Sequence, residues 1–133
     1  MKKFTAFLLA LVYALSLTGC SGRNMTFDIG EANSIKIVSG LSGDKATISD
    51  QGFIQTITEH INSLRFEKTA SSEGVKGYAY TLTWLDAESK TIATVTVSDE
   101  NGYQINHDGY FYKVGADQSI DVSLIAETLD SAK

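Results

Sequence analysis

Between residues 78 and 114 the chain alternates apolar and polar side chains through four segments, and this alternation constrains its fold more than any other feature. The segments are 78–85, 91–98, 103–107 and 110–114. A period of two marks strands with one buried face. Asp108-Gly109 between the last two is a two-residue hairpin turn, where both positions must tolerate positive φ. That turn pairs His107 with Tyr110 and Ile105 with Tyr112. Asn101-Gly102 looks like a second turn of the same kind, but register argues otherwise. A two-residue loop would set Ser98 opposite Ile105 and mix the faces. A three-residue loop, Glu100-Asn101-Gly102 with Gly102 left-handed, sets Val97 opposite Ile105. Because a one-residue slip turns every side chain over, the choice is nearly binary. One face then collects Val95, Val97, Tyr103, Ile105, His107, Tyr110, Tyr112 and Val114. A four-residue loop at 87–90 adds Tyr78, Tyr80, Leu82 and Trp84. The other face carries Thr94, Thr96, Ser98, Gln104, Asn106, Phe111 and Lys113.

The rest of the domain must cover the apolar face. Residues 34–38 and 45–48 are short strands joined through Gly40, Ser42, Gly43 and Asp44, which supply turn chemistry. A helix follows, capped by Ser49 or Asp50. Phe53, Ile54, Ile57, Ile61 and Leu64 fall within one 100° arc at 100° per residue, so it is amphipathic. Residues 65–69 read as an edge strand and 70–77 as a loop rich in Ser and Gly. A second helix starts at Asp121, with Ile120 placed to staple onto Ile125. Val122, Ile125, Ala126 and Leu129 share its inner face. Leu124 is either a boundary contact or exposed. The expected fold is α+β: an antiparallel sheet of six to seven strands with two helices on one face, in the order β-β-α-β-β-β-β-β-α.

The N-terminus is of another kind. Lys2 and Lys3 precede a run of 14 mostly apolar positions, 4–17, too short for a bilayer span of about 20 residues. It closes on Leu17, Thr18, Gly19 and Cys20. The order of a hydrophobic, a small, a smaller and a thiol residue resembles a bacterial lipoprotein signal. The resemblance covers residues 1–20. It implies removal of residues 1–19, a diacylglycerol on the Cys20 sulfur, and retention at the extracytoplasmic face of the cell membrane. Two acyl chains anchor stably, at roughly 0.8 kcal/mol per buried CH₂. Residues 20–33 lack periodicity and are expected to form a tether, and 34–133 a single domain. In outline the domain is similar to small Gram-positive lipoproteins of uncharacterised families, over residues 34–129. That likeness brings no functional residues with it.

Cys20 is the only cysteine of the chain. Once it is a thioether, no thiol remains for nucleophilic, redox or zinc chemistry. The processed chain holds 9 Lys plus Arg against 16 Asp plus Glu, a net charge of −7. Such a surface repels phosphate backbones, so nucleic acid is not an expected partner.

Chemistry-bearing residues are sparse. His107 beside Asp108 has the look of half a catalytic or metal pair, but Asp108 already serves the turn. His60 sits about 20° outside the apolar arc of its helix, at the boundary, and Glu59-His60 lacks a second histidine one turn away. Asp99, Asn101 and Gly102 echo a calcium loop whose first ligand position would be Val97, which has no side-chain oxygen. No nucleophile elbow or phosphate-binding glycine motif occurs. Neither cofactor nor metal is expected. Most aromatic residues fall on the covered face, leaving Phe111, Leu85 and Ile92 outside. The favoured expectation is a non-enzymatic, lipid-anchored interaction module. It would present Thr94, Thr96, Gln104, Asn106 and Phe111 to an exported protein or to cell-wall glycan. The alternatives are a small envelope hydrolase or metal-dependent enzyme built on His107 or His60, and an inhibitor of a secreted enzyme.

Overall fold

The computed structural model describes residues 24–132. Among them are eight strands and two helices. These are β1 (Asn24–Met25), β2 (Ser34–Ser39), β3 (Lys45–Ile48), α1 (Gln51–Ser63), β4 (Phe66–Ser71), β5 (Tyr80–Leu85), β6 (Thr91–Val97), β7 (Gln104–His107), β8 (Tyr110–Val114) and α2 (Val122–Ser131). The strands form one antiparallel sheet in the order β1-β4-β8-β7-β6-β5-β2-β3. The fold is therefore α+β, with one strand more than the sequence suggests.

Register follows the turn chemistry. Val97 faces Ile105, Ile105 faces Tyr112, and His107 faces Tyr110. Asp108 and Gly109 take φ of 50° and 83°, as a two-residue primed turn requires. Gly102 takes φ 75°, and an added Cβ there would run into the Ile120 carbonyl. Asp99 shapes that loop: its carboxylate accepts from the Tyr103 and Gln104 amides at 2.9 Å each. Trp84 faces Ala93 as the 87–90 loop predicts, but the register then shifts, so that Leu85 faces Thr91 and Ile92 is the extra residue, 40% exposed.

The helices are capped by aspartates. Asp50 accepts from Gly52 N–H at 2.9 Å and Asp121 from Leu124 N–H at 3.1 Å, each cap contributing about 1 kcal/mol. The apolar arc of α1 is buried together with Ile120, Ile125 and Leu129, and these meet Ile35, Ile37, Leu82, Trp84, Val95, Val97 and Ile105 in one core. Leu124 is partly buried against that core. Trp84 is fully enclosed, and its indole N–H donates to Thr58 Oγ1 at 2.8 Å. A buried donor on the sheet is thus satisfied from the helix above it.

Four expectations need correction. The chain from Asn24 to Asn33 is not a free tether. β1 pairs with β4, Ile29 is buried, and Asn62 of α1 clamps the Ile29 backbone, accepting its N–H at 2.9 Å and donating to its carbonyl at 3.0 Å. Consequently β4 is not an edge strand, since β1 lies outside it. Tyr103 and Tyr110, expected under the helices, are 54% and 42% exposed. Both lie at strand ends, and Tyr110 takes Lys68 Nζ over its ring at 3.9 Å rather than a helix. Finally, the 72–79 segment is more than a surface loop. β4 ends opposite Tyr110 and β5 begins opposite Val97, and β8, β7 and β6 lie between them in the sheet. The connection must therefore cross those three strands.

Candidate functional site

The five residues expected to form an interaction face do share the side of the sheet turned away from the helices. Thr96 faces Asn106 across β6–β7, and Asn106 faces Phe111 across β7–β8. Gln104 faces Lys113 further along, and Thr94 lies on β6 two residues before Thr96. They are not equally free. Thr94 is exposed, while Thr96, Gln104, Asn106 and Phe111 are half-buried.

The 72–79 connection is the reason. Ser72 is buried, its N–H donates to the Gly109 carbonyl at 2.9 Å, and its hydroxyl donates to Asn106 Oδ1 at 2.7 Å. Asn106 belongs to the outer face, so the connection crosses that face. At its far end Ala79 N–H donates to the Val97 carbonyl at 2.8 Å. The strap therefore runs from β4 to β5 past Asn106 on the outer face. Asn106 is committed to holding it down.

The outer face of β6, β5, β2 and β3 is open in part: Thr94 is exposed, while Thr81, Thr83 and Thr96 are half-buried. Its middle is a block of four threonines, Thr81 opposite Thr96 and Thr83 opposite Thr94. Thr83 also faces Lys36, which faces Thr47. Thr47, Lys36, Lys45 and Thr94 are exposed. Opposed threonines are stable cross-strand pairs. Sequence pattern places them on this face. It could not reveal where the strap would cross it.

The histidines are held by structural contacts. His60 Nε2 lies 3.1 Å from the Ser119 carbonyl and 3.1 Å from the Asp121 N–H. One ring nitrogen serves one of these at a time: bare it accepts from Asp121, protonated it donates to Ser119. Either way it ties α1 to the start of α2. His107 is packed edge-on against Phe27, with centroids 5.4 Å apart, and against Tyr112 at 6.2 Å. Its Nε2 lies 3.3 Å from the exposed Asp108 carboxylate. Among the described residues no group of three or more His, Cys, Asp or Glu is placed to hold a metal.

Two depressions mark the helix side. A groove of about 720 Å³ runs between 29–33 and α1, lined by Gln51, Gln55, Thr58, Glu59 and Asn62. Three of its side-chain amides are already engaged: Gln51 donates to Asn33 O, Gln55 to Glu59, and Asn62 to Ile29 O. A shallower hollow of about 560 Å³ lies around His60, Tyr103 and Asp121.

Leu17, Thr18, Gly19 and Cys20 lie outside the described residues. No helix among the described residues is long and apolar enough to cross a membrane. No protein-family model, curated protein or solved structure matches the chain.

Proposed function

We propose that the chain is a lipid-anchored extracytoplasmic binding module, without enzymatic activity, that holds an exported protein or cell-wall glycan on its open sheet face. Diacylglycerol on Cys20 fixes it to the outer surface of the cell membrane, in a Gram-positive envelope. The observation that carries the binding surface is the four-threonine block of β5 and β6, flanked by Lys36, Lys45 and Thr47. It is hydroxyl-rich, and its side chains stand on hydrogen-bonded strands rather than on a loop. Hydroxyl donors and acceptors on such a scaffold suit polar partners with little ordering cost.

The test has two parts. Cys20→Ser is expected to abolish acylation, leaving an unprocessed precursor or releasing the protein from membranes. Normal processing and retention of that variant would end the anchoring half of the proposal. Thr83→Lys with Thr94→Lys is expected to lower partner crosslinking on intact cells at least tenfold at unchanged thermal stability. Crosslinking at the wild-type level would exclude this face.

A further inference from the structure

The geometry points to a fixed stance of the domain on the bilayer: its β1–β4 edge faces the lipid headgroups, and the open threonine face on β6-β5-β2-β3 stands away from them. This rests on the lipid anchor proposed above and adds what the anchor alone does not give, an orientation and a membrane-contact surface.

The argument begins with β1. Asn24 is hydrogen-bonded into the sheet opposite Glu67. Three residues separate it from Cys20, so the backbone reach from Asn24 to Cys20 is at most about 14 Å at roughly 3.6 Å per residue. A long tether would leave the domain free to tumble. This short one attaches the lipid to one named edge. The sheet order then sets the rest: β3 is seven strand spacings from β1, about 33 Å at about 4.8 Å each.

The chemistry of the near edge fits a headgroup layer. β4 and β8, with the residue before β4, carry Arg65, Lys68 and Lys113 against Glu67, with Asp108 next to Tyr110. β2 and β3 at the far edge carry Lys36 and Lys45 and no acid, so the short attachment to β1, and not charge, chooses between the two edges. Tyr110 is exposed there, with Lys68 Nζ 3.9 Å above its ring. Tyrosine and lysine are the side chains that settle at a membrane–water boundary, ring in the glycerol region and ammonium among phosphates. Neither α1 nor α2 carries a Lys or Arg, so the helix layer has no comparable attraction to an anionic bilayer.

The test uses the native acylated protein reconstituted in phosphatidylethanolamine–phosphatidylglycerol vesicles. A fluorescent donor is placed on Ala70→Cys (β4) or on Thr47→Cys (β3), both exposed positions. The acceptor is a headgroup-labelled lipid. Energy transfer from position 70 is expected to be at least twice that from position 47. Equal or reversed transfer in protein that floats with vesicles and carries its diacyl mass overturns the orientation alone. Protein without that mass overturns both the orientation and the anchor. Lys68→Glu with Tyr110→Ser is expected to pull the position-70 signal toward the position-47 value. An unchanged signal removes these two residues from the contact.

Discussion

Gly102 shows how much a single residue can decide here. The three-residue loop that keeps Val97 opposite Ile105 needs a left-handed residue, and the same position lies against the Ile120 carbonyl. Its N–H and C=O are also used, the carbonyl accepting from Ile120 N–H at 2.8 Å. Gly102→Ala therefore meets a φ penalty and a backbone collision together, and is expected to cost about 2–3 kcal/mol, read as a shift in urea midpoint at unchanged slope. Gly109→Ala lacks the collision and is expected to cost about 1 kcal/mol. Equal losses would show that the Ile120 contact relaxes freely. A second site is Thr58, whose hydroxyl receives the Trp84 indole N–H inside the core. Thr58→Val keeps the shape and strands a buried donor, an expected loss of about 1–3 kcal/mol. Thr58→Ser keeps the acceptor and should lose less. Glycine and aspartate at the turns were legible because turn chemistry is local. The Thr58–Trp84 bond was not, since it joins residues brought together only when α1 lands on β5.

At the scale of elements, legibility followed sequence distance. The β6–β7–β8 meander and both helices could be read, because each has a strong internal period and short connections. Two elements escaped. The segment 24–29 carries a period-two signal of only three members, Met25, Phe27 and Ile29, and these are the side chains it turns inward. So short a signal is easily taken for a linker with stray apolar residues. Phe27 meets Phe66 edge-on at 5.4 Å and His107 at the same distance, covering the part of the sheet that the helices leave bare. The strap at 72–79 also escaped, because nothing local in Ser, Gly and Glu reveals the face a connection crosses. The first of these has a measurable consequence. Asn62→Ala removes both bonds to the Ile29 backbone, and is expected to destabilise the domain by about 1–3 kcal/mol and to raise amide exchange of residues 25–29 at least tenfold. Unchanged exchange would mean that Phe27 and β1 hold the segment unaided.

For the molecule as a whole, topology and composition together set how it must fold. Three of the seven strand pairings are distant in sequence: β1 with β4, β4 with β8, β2 with β5. The other four, the β2–β3 hairpin and the β5-to-β8 meander, are local. Loop closure must precede the reward from those distant pairs, which places such sheets in the millisecond-to-second range. Slower steps have identifiable chemical causes, and this chain lacks both common ones. It has no proline, so no prolyl isomerisation of tens of seconds can arise. Its one cysteine precludes an intramolecular disulfide. The single tryptophan, Trp84, is fully buried between α1 and the sheet, so its fluorescence reports arrival of the helix on the core. Refolding of the chain from Ser21 onward, followed by Trp84 emission after urea dilution, is expected to be a single exponential within seconds. It should be insensitive to reductant and to the time spent unfolded. A phase of tens of seconds that grows with delay in urea would contradict this, because no bond in the chain can supply it. The core alone then carries the stability of the domain, which is why the buried Thr58 hydroxyl and the N-terminal apolar residues weigh as heavily as they do.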